Sequence, residues 1–151
     1  MHIVLGSDHR GFELKHSLCA FLRQQGYDVQ ELGCFSAEDR VDYPEIAAQV
    51  ARSVLSGAAQ RGVVICGSGL GVSMAANRHA GIRAALCVNE YMARVSRLHN
   101  DANVLALGAD VVGEALAQSI VETFLAVEFE SGRHLRRVEM LDTIVEDYKK
   151  T

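Results

Sequence analysis

VVICGSGLGVS, Val63–Ser73, sets an apolar, β-branched run against a cysteine and a turn with glycines at 67, 69 and 71. A run that is apolar on both faces suits a parallel strand covered by helices on two sides. A glycine turn that opens a helix suits the loop following such a strand. Three readings fit this stretch: a dinucleotide cradle, a structural loop beside a buried thiol, or a catalytic base facing an anion-stabilising nest of amides.

The same alternation extends in both directions. Strands are expected at His2–Leu5, Asp28–Leu32, Gly62–Cys66, Ile82–Leu86 and Asn103–Leu107. Helical patterns lie between them. The first covers Gly11–Gln25 and stops at Gly26, a suitable C′ residue. The second starts at Pro44, a favoured first helical position, and ends near Gly57. Others span Leu70–Arg78, Glu90–Leu98 and Val112–Val127, the last with Leu116, Ile120, Val121, Phe124 and Leu125 on one stripe. Strand and helix alternate five times, which implies right-handed crossovers and an α/β fold: a three-layer, Rossmann-like sandwich around a five-stranded parallel sheet. An extra C-terminal helix, about 134–149, carries Leu135, Val138, Leu141, Val145 and Tyr148 three or four apart. No strand follows it, so it is expected to reach across to a second subunit.

The totals are those of one soluble domain spanning 1–151. A chain of 151 residues buries ~70% of its unfolded surface. Its net charge of −4 argues against a general nucleic-acid binder. No apolar run approaches the ~18 residues that span a bilayer, and no secretion signal is expected at the start. Cys19, Cys34, Cys66 and Cys87 lie far apart and show no zinc spacing. Reduced thiols in a cytoplasm, with neither metal nor cofactor, fit them better than a disulfide scaffold.

In an open parallel sheet, ligands bind outside the carboxyl ends of the strands. The first strand delivers Ser7, Asp8 and His9 there, and the third delivers Cys66 and the glycine turn. Gly67, Gly69 and Gly71 let backbone N–H groups turn inward at a helix start, where they bind anions or developing oxyanions. A dinucleotide fingerprint needs glycine or alanine where Val72 stands, although Glu90 lies at a ribose-contacting distance. A thiol facing such a nest should ionise more readily than usual and could take a proton from carbon. The alternative is a buried cysteine ending a strand. Ser68 could relay a proton or cap the helix, and Asp8 could act in catalysis or as an N-cap. His99 and Asn100 precede the last strand, at the opposite edge of the sheet from Cys66. A catalytic His99 would therefore serve a partner's site. Arg133 and Arg137, four apart, share a face if helical and suit a phosphate.

These residues fall in segments that resemble the type-B ribose-5-phosphate isomerase family, which also includes galactose-6-phosphate isomerase subunits. The segments are GSDHRGFELK, DYP (Asp42–Pro44), CGSGLGVSMAANR, GIRAALC, SRLHNDANVLALG and GRHLRRV, covering nearly the whole chain. The resemblance implies metal-free aldose–ketose isomerisation of phosphorylated sugars through a cis-enediolate. It makes Cys66 the carbon-acid base, with the amides of Gly67–Gly71 on the enediolate and Ser68 moving a proton between O1 and O2. It assigns ring opening to His99 with Asp8, the phosphate to His9, Arg133 and Arg137, and the pocket wall to Tyr43 and Asn100. It also implies dimers, or pairs of dimers, with shared sites. One position departs: relatives often carry arginine where this chain has Asp110, and a carboxylate there would repel a phosphate dianion at close range. A six-carbon sugar phosphate stays open as substrate, as does a non-catalytic nucleotide- or anion-binding module.

Overall fold

A computed structural model describes residues 1–148; Lys149, the expected end of the last helix, lies outside the described residues. Five strands form one sheet: β1 (His2–Ser7), β2 (Asp28–Gly33), β3 (Arg61–Cys66), β4 (Ala84–Leu86) and β5 (Val104–Gly108). All neighbours pair in parallel, in the spatial order β2-β1-β3-β5-β4. The helices are α1 (Phe12–Gln24), α2 (Tyr43–Leu55), α3 (Leu70–Ala76), α4 (Glu90–Asn100), α5 (Glu114–Ala126) and α6 (Leu135–Tyr148). The sequence expectation of a three-layer α/β sandwich matches this arrangement.

The strands read as apolar throughout because each face meets its own helical layer. Ile3, Leu5, Val63, Ile65, Leu105 and Leu107 point to one side, against Leu14, Leu18 and Leu22 of α1 and Ile120, Val121 and Phe124 of α5. The alternate positions Val4, Val64, Cys66, Val104 and Ala106 face Ala47, Val50 and Ala51 of α2 and Val72 and Ala76 of α3. Side chains alternate along a strand, so every second residue joins one core. Cys66 thereby belongs to the α2–α3 side.

The chain leaves β1 toward β2 on one side and returns to β3 on the other, so the order reverses between β1 and β3. The crevice above that reversal is where an open α/β sheet admits a ligand. It receives the loop after β1, with Asp8 and His9, and the loop after β3, with Gly67–Gly69.

Some boundaries differ from the sequence expectation. The fourth strand is shorter than Ile82–Leu86 because the Ile82 amide turns back to His79 O and the Arg83 amide is taken by the Asn103 side chain. Helix α3 stops at Ala76, before Arg78, and α5 starts at Glu114 rather than Val112. Helix α4 runs two residues past Leu98, so His99 and Asn100 form its last turn rather than a loop. It ends at Asp101, which takes a left-handed φ of 44°, while the Ala102 amide closes back on Ser96 O. Two arginines hold this unfavourable conformation: Arg97 Nη1 reaches Asp101 Oδ1 at 2.7 Å and Arg83 Nη2 reaches Oδ2 at 3.1 Å.

Candidate active site

The site on the β1–β3 side is built from two turns. Asp8 is an N-cap: its Oδ1 accepts from the amides of Arg10 at 3.0 Å and Gly11 at 3.1 Å, shaping the His9–Gly11 turn before α1. The Asp8 amide donates to Ile65 O, which ties this turn to the end of β3. Within His9, Nδ1 is a buried polar atom without a hydrogen-bond partner.

Cys66 ends β3 and is 5% exposed. The amide of Gly69 donates to its Sγ at 3.2 Å. Gly69 can do so because its φ is +77°, a conformation that favours glycine, and a Cβ there would lie 2.9 Å from backbone atoms of Leu107 and Gly108. Ser68 Oγ accepts from the Leu70 amide at 3.2 Å, a local turn one residue before the helix N-cap, which is Gly69. The next amides, of Gly71 and Val72, lie in a first helical turn, which has no intrahelical acceptors for them. Tyr43, the first residue of α2, lays its ring beside Gly71, where a Cβ would come within 2.8 Å of it. Asp8, His9, Tyr43, Cys66, Ser68 and the three glycines thus gather at one sheet edge.

The loop after β5 is stitched to the same place. Ala109 N donates to Cys66 O and Asp110 N to Gly67 O, both at 2.9 Å. Asp110 does not stand alone: its Oδ2 accepts from Arg10 Nη2 at 2.5 Å. That pair sets a cation against the carboxylate expected to repel a phosphate. Arg10 was not singled out as a candidate, although it sits inside the DHRG segment.

The second cluster lies elsewhere. His99 and Asn100 close α4 at the edge where β5 begins, and β5 ends level with Cys66 through the Cys66–Gly108 pairing. Those β5 residues separate the two clusters by roughly 13 Å of strand. His99 instead stacks on His134, with ring centroids 4.2 Å apart and planes 13° from parallel. A cavity of 360 Å³ is lined there by His99, Asn100, His134, Arg137, Val138 and Leu141. Arg133 and Arg137 line an adjoining groove with Arg136 and Met140. Arg133 Nε donates to His134 Nε2 at 3.4 Å. Burial pushes the His134 pKa below its ordinary value, and His99 and Arg133 add to the shift. Ligand atoms of His99, Glu130 and His134 lie within 4.8 Å of one another. Nearly parallel rings direct their lone pairs side by side, not toward the common centre that a tetrahedral ion needs.

The fold therefore brings the predicted residues together as two groups at opposite sheet edges. Sequence reading named His134 only within its basic segment and missed its stacking on His99. The signal lay in two histidines whose segments, RLHND and GRH, both sit outside the apolar pattern. All four cysteines are free and buried. Burial pushes the thiols of Cys19 up to about 12 and of Cys87 up to about 11, which leaves both as packing residues at neutral pH.

Comparison with known proteins yields consistent matches. Residues 3–141 match the model of the Ribose/Galactose Isomerase family. Ribose-5-phosphate isomerase B of Escherichia coli (strain K12) is 49% identical over 142 residues, covering 94% of this chain and 95% of that one. Among solved structures, ribose-5-phosphate isomerase B of Clostridium thermocellum superposes with a TM-score of 0.96 at 53% identity, covering 98% of this chain and 99% of that one. A ribose 5-phosphate isomerase of Thermotoga maritima superposes with a TM-score of 0.92 at 47% identity, covering 94% and 97% of the two chains.

Proposed function

This chain belongs to the ribose/galactose isomerase family, and we propose that it interconverts ribose 5-phosphate and ribulose 5-phosphate with Cys66 as the proton-transferring base. The observation that carries the assignment of the base is the Gly69 amide donating to Cys66 Sγ at the mouth of the glycine turn. That N–H turns its positive end toward the sulfur, and the remaining amides of the turn stand where charge develops on a substrate oxygen.

The Cys66 thiolate takes the proton on C2 of the open-chain aldose, and the C–H electrons form the C1–C2 double bond of an enediolate. Its oxygen charge rests on amides of the Gly67–Gly71 turn. Ser68 passes the O2 proton to O1, and the Cys66 thiol then returns its proton to C1, leaving a carbonyl at C2. Every atom is conserved, as an isomerisation requires, and positioned amides act where charge develops. Tyr43 forms the wall beside Gly71.

Ring opening and phosphate binding fall jointly to Asp8 and His9 of the first cluster and to the second cluster, acting from another subunit. His99 with Asp8 opens the furanose, Asn100 lines the pocket, and His9, Arg133 and Arg137 hold the phosphate. Two observations support a shared site: the clusters lie at opposite sheet edges, and α6 leaves Leu135, Met140, Leu141 and Ile144 exposed. A homodimer, or a pair of dimers, covers that helix and completes the pocket. Free cysteines accord with a reducing, cytoplasmic setting.

The test is an isomerisation assay in chelator over pentose and hexose phosphates, on the wild type and Cys66→Ala. Ribose 5-phosphate is expected to turn over best. Cys66→Ala is expected to lose turnover while keeping its circular dichroism spectrum and phosphate binding. Near-normal activity in that variant would remove Cys66 from its role.

A further inference from the structure

We propose that Arg10 is a substrate-contacting specificity residue, a tethered arm that reads the phosphate end of the sugar, and that Asp110 sets the strength of that contact. This rests on the isomerase reading above.

The position is fixed by backbone. Asp110 N bonds to Gly67 O and Ala109 N to Cys66 O, so residue 110 is pinned beside the reacting sulfur. Arg10 is pinned from the other side, because its amide caps onto Asp8 and Asp8 N is tied to Ile65 O. The side chains then meet directly over Gly67. A Cβ at residue 67 would lie 2.7 Å from Arg10 Nε and 2.8 Å from Asp110 Oδ2. Glycine at this position leaves the space that the pair fills.

The energetics point to a ligand rather than to stability. Arg10 and Asp110 are 60% and 54% exposed, and an exposed pair of this kind adds little to stability. Only Nη2 is engaged by the carboxylate. Among the described residues Arg10 makes no other side-chain hydrogen bond, so most of its five N–H donors remain for a second acceptor. A phosphate dianion offers the planar fork two oxygens where Asp110 uses one, and so competes favourably for it. On its far side the pair lines an open groove of 410 Å³ that runs to His16 and Glu114, which leaves the arm room to swing. Asp110 does double duty: it orients the guanidinium when the site is empty, and it opposes phosphate when the arm is shared.

The experiment is calorimetric titration with inorganic phosphate, alongside KM and kcat for ribose 5-phosphate, on the wild type, Arg10→Met, Asp110→Asn and the double variant. Arg10→Met is expected to weaken phosphate binding about tenfold and to raise KM similarly, the size of one charge-assisted contact, with kcat within about twofold. Asp110→Asn is expected to tighten phosphate binding several-fold by releasing the guanidinium and removing a like charge. The double variant should bind phosphate more weakly than wild type but somewhat more tightly than Arg10→Met, since it lacks the guanidinium and also the like charge of Asp110. Phosphate affinity and KM within twofold of wild type in Arg10→Met would overturn the proposal. So would weakened binding in Asp110→Asn, which marks a purely structural pair. If no sugar phosphate is turned over while Arg10→Met still loses phosphate affinity, the isomerase reading fails and the phosphate contact stands.

Discussion

Cys66 and His99 sit at opposite ends of neighbouring paired elements: Cys66 at the end of β3, level with Gly108, and His99 just before β5 begins at Val104. No rotamer of either side chain bridges that span. If both act on one sugar, each site takes one residue from each of two chains.

Mixing therefore gives a decisive outcome. Cys66→Ala and His99→Ala should each be inactive as pure proteins on the cyclic sugar. Hybrid dimers formed by subunit exchange carry one site with both residues intact and one with neither. About half of the dimers in an equal mixture are hybrids, and each holds one working site of two, so roughly a quarter of wild-type activity should return. Exchange verified by mass spectrometry with no recovery would show that Cys66 and His99 serve the same chain or different reactions.

The glycine turn separates two kinds of damage. Gly69→Ala places a side chain at φ +77° and 2.9 Å from backbone that cannot yield, so a stability loss above ~2 kcal/mol and loss of activity are expected in denaturant melts and assays. Gly71→Ala differs. Alanine gains ~1 kcal/mol of helix propensity, and the atoms it meets belong to the Tyr43 ring, which can turn away. Stability should stay within about 1 kcal/mol of wild type while KM rises several-fold as the Tyr43 wall moves. Equal destabilisation by both substitutions would contradict this geometry.

The strands could be read from sequence because each is covered on both faces, and the helices because their stripes and stops, such as Gly26, are local. What could not be read is spatial. The placement of β5 between β3 and β4 depends on sheet pairing, and no residue within β4 announces it. The pairing of Asp110 with Arg10 was not legible because the two lie a hundred residues apart. His99 looked like a loop residue because helix α4 ends on a left-handed aspartate where a glycine would have been the legible signal. The grouping of Asp8, Cys66 and the glycines was legible because the carboxyl ends of parallel strands share one edge.

That left-handed Asp101 makes a prediction of its own. Arg97 is 2% exposed and depends on Asp101 for its countercharge. Asp101→Ala keeps the strained φ and strands a buried guanidinium, so a loss on the order of 3 kcal/mol is expected. Asp101→Gly loses the same ion pairs but relieves ~1 kcal/mol of left-handed strain, so it should be the milder change by about that amount. Both should raise KM through His99 and Asn100. Urea denaturation of the two variants gives the ranking, and the reverse order would show that Asp101 is held by something other than its two arginines.

Stability against pH should carry two opposed histidine contributions. The His2 ring shares a 2.7 Å hydrogen bond with Asp28, which raises the His2 pKa above 6.5 and lowers that of Asp28 below 3.8. The raised His2 pKa contributes stability that is full below 6.5 and is lost as pH rises through the folded value. The lowered Asp28 pKa contributes stability that is present above 3.8 and lost as pH falls through the folded value. The pair therefore helps most between those limits. His134 has the other sign: its folded pKa lies below 6.5 because burial and the neighbouring cations disfavour its charge. Unfolding then takes up a proton, and stability falls as pH drops below 6.5. Melting temperatures at pH 5.5 and 8 should reveal both. His2→Gln should lose more stability at pH 5.5 than at pH 8, whereas His134→Gln should lose less at pH 5.5. Two variants with the same pH trend would mean that one of the two environments is misassigned.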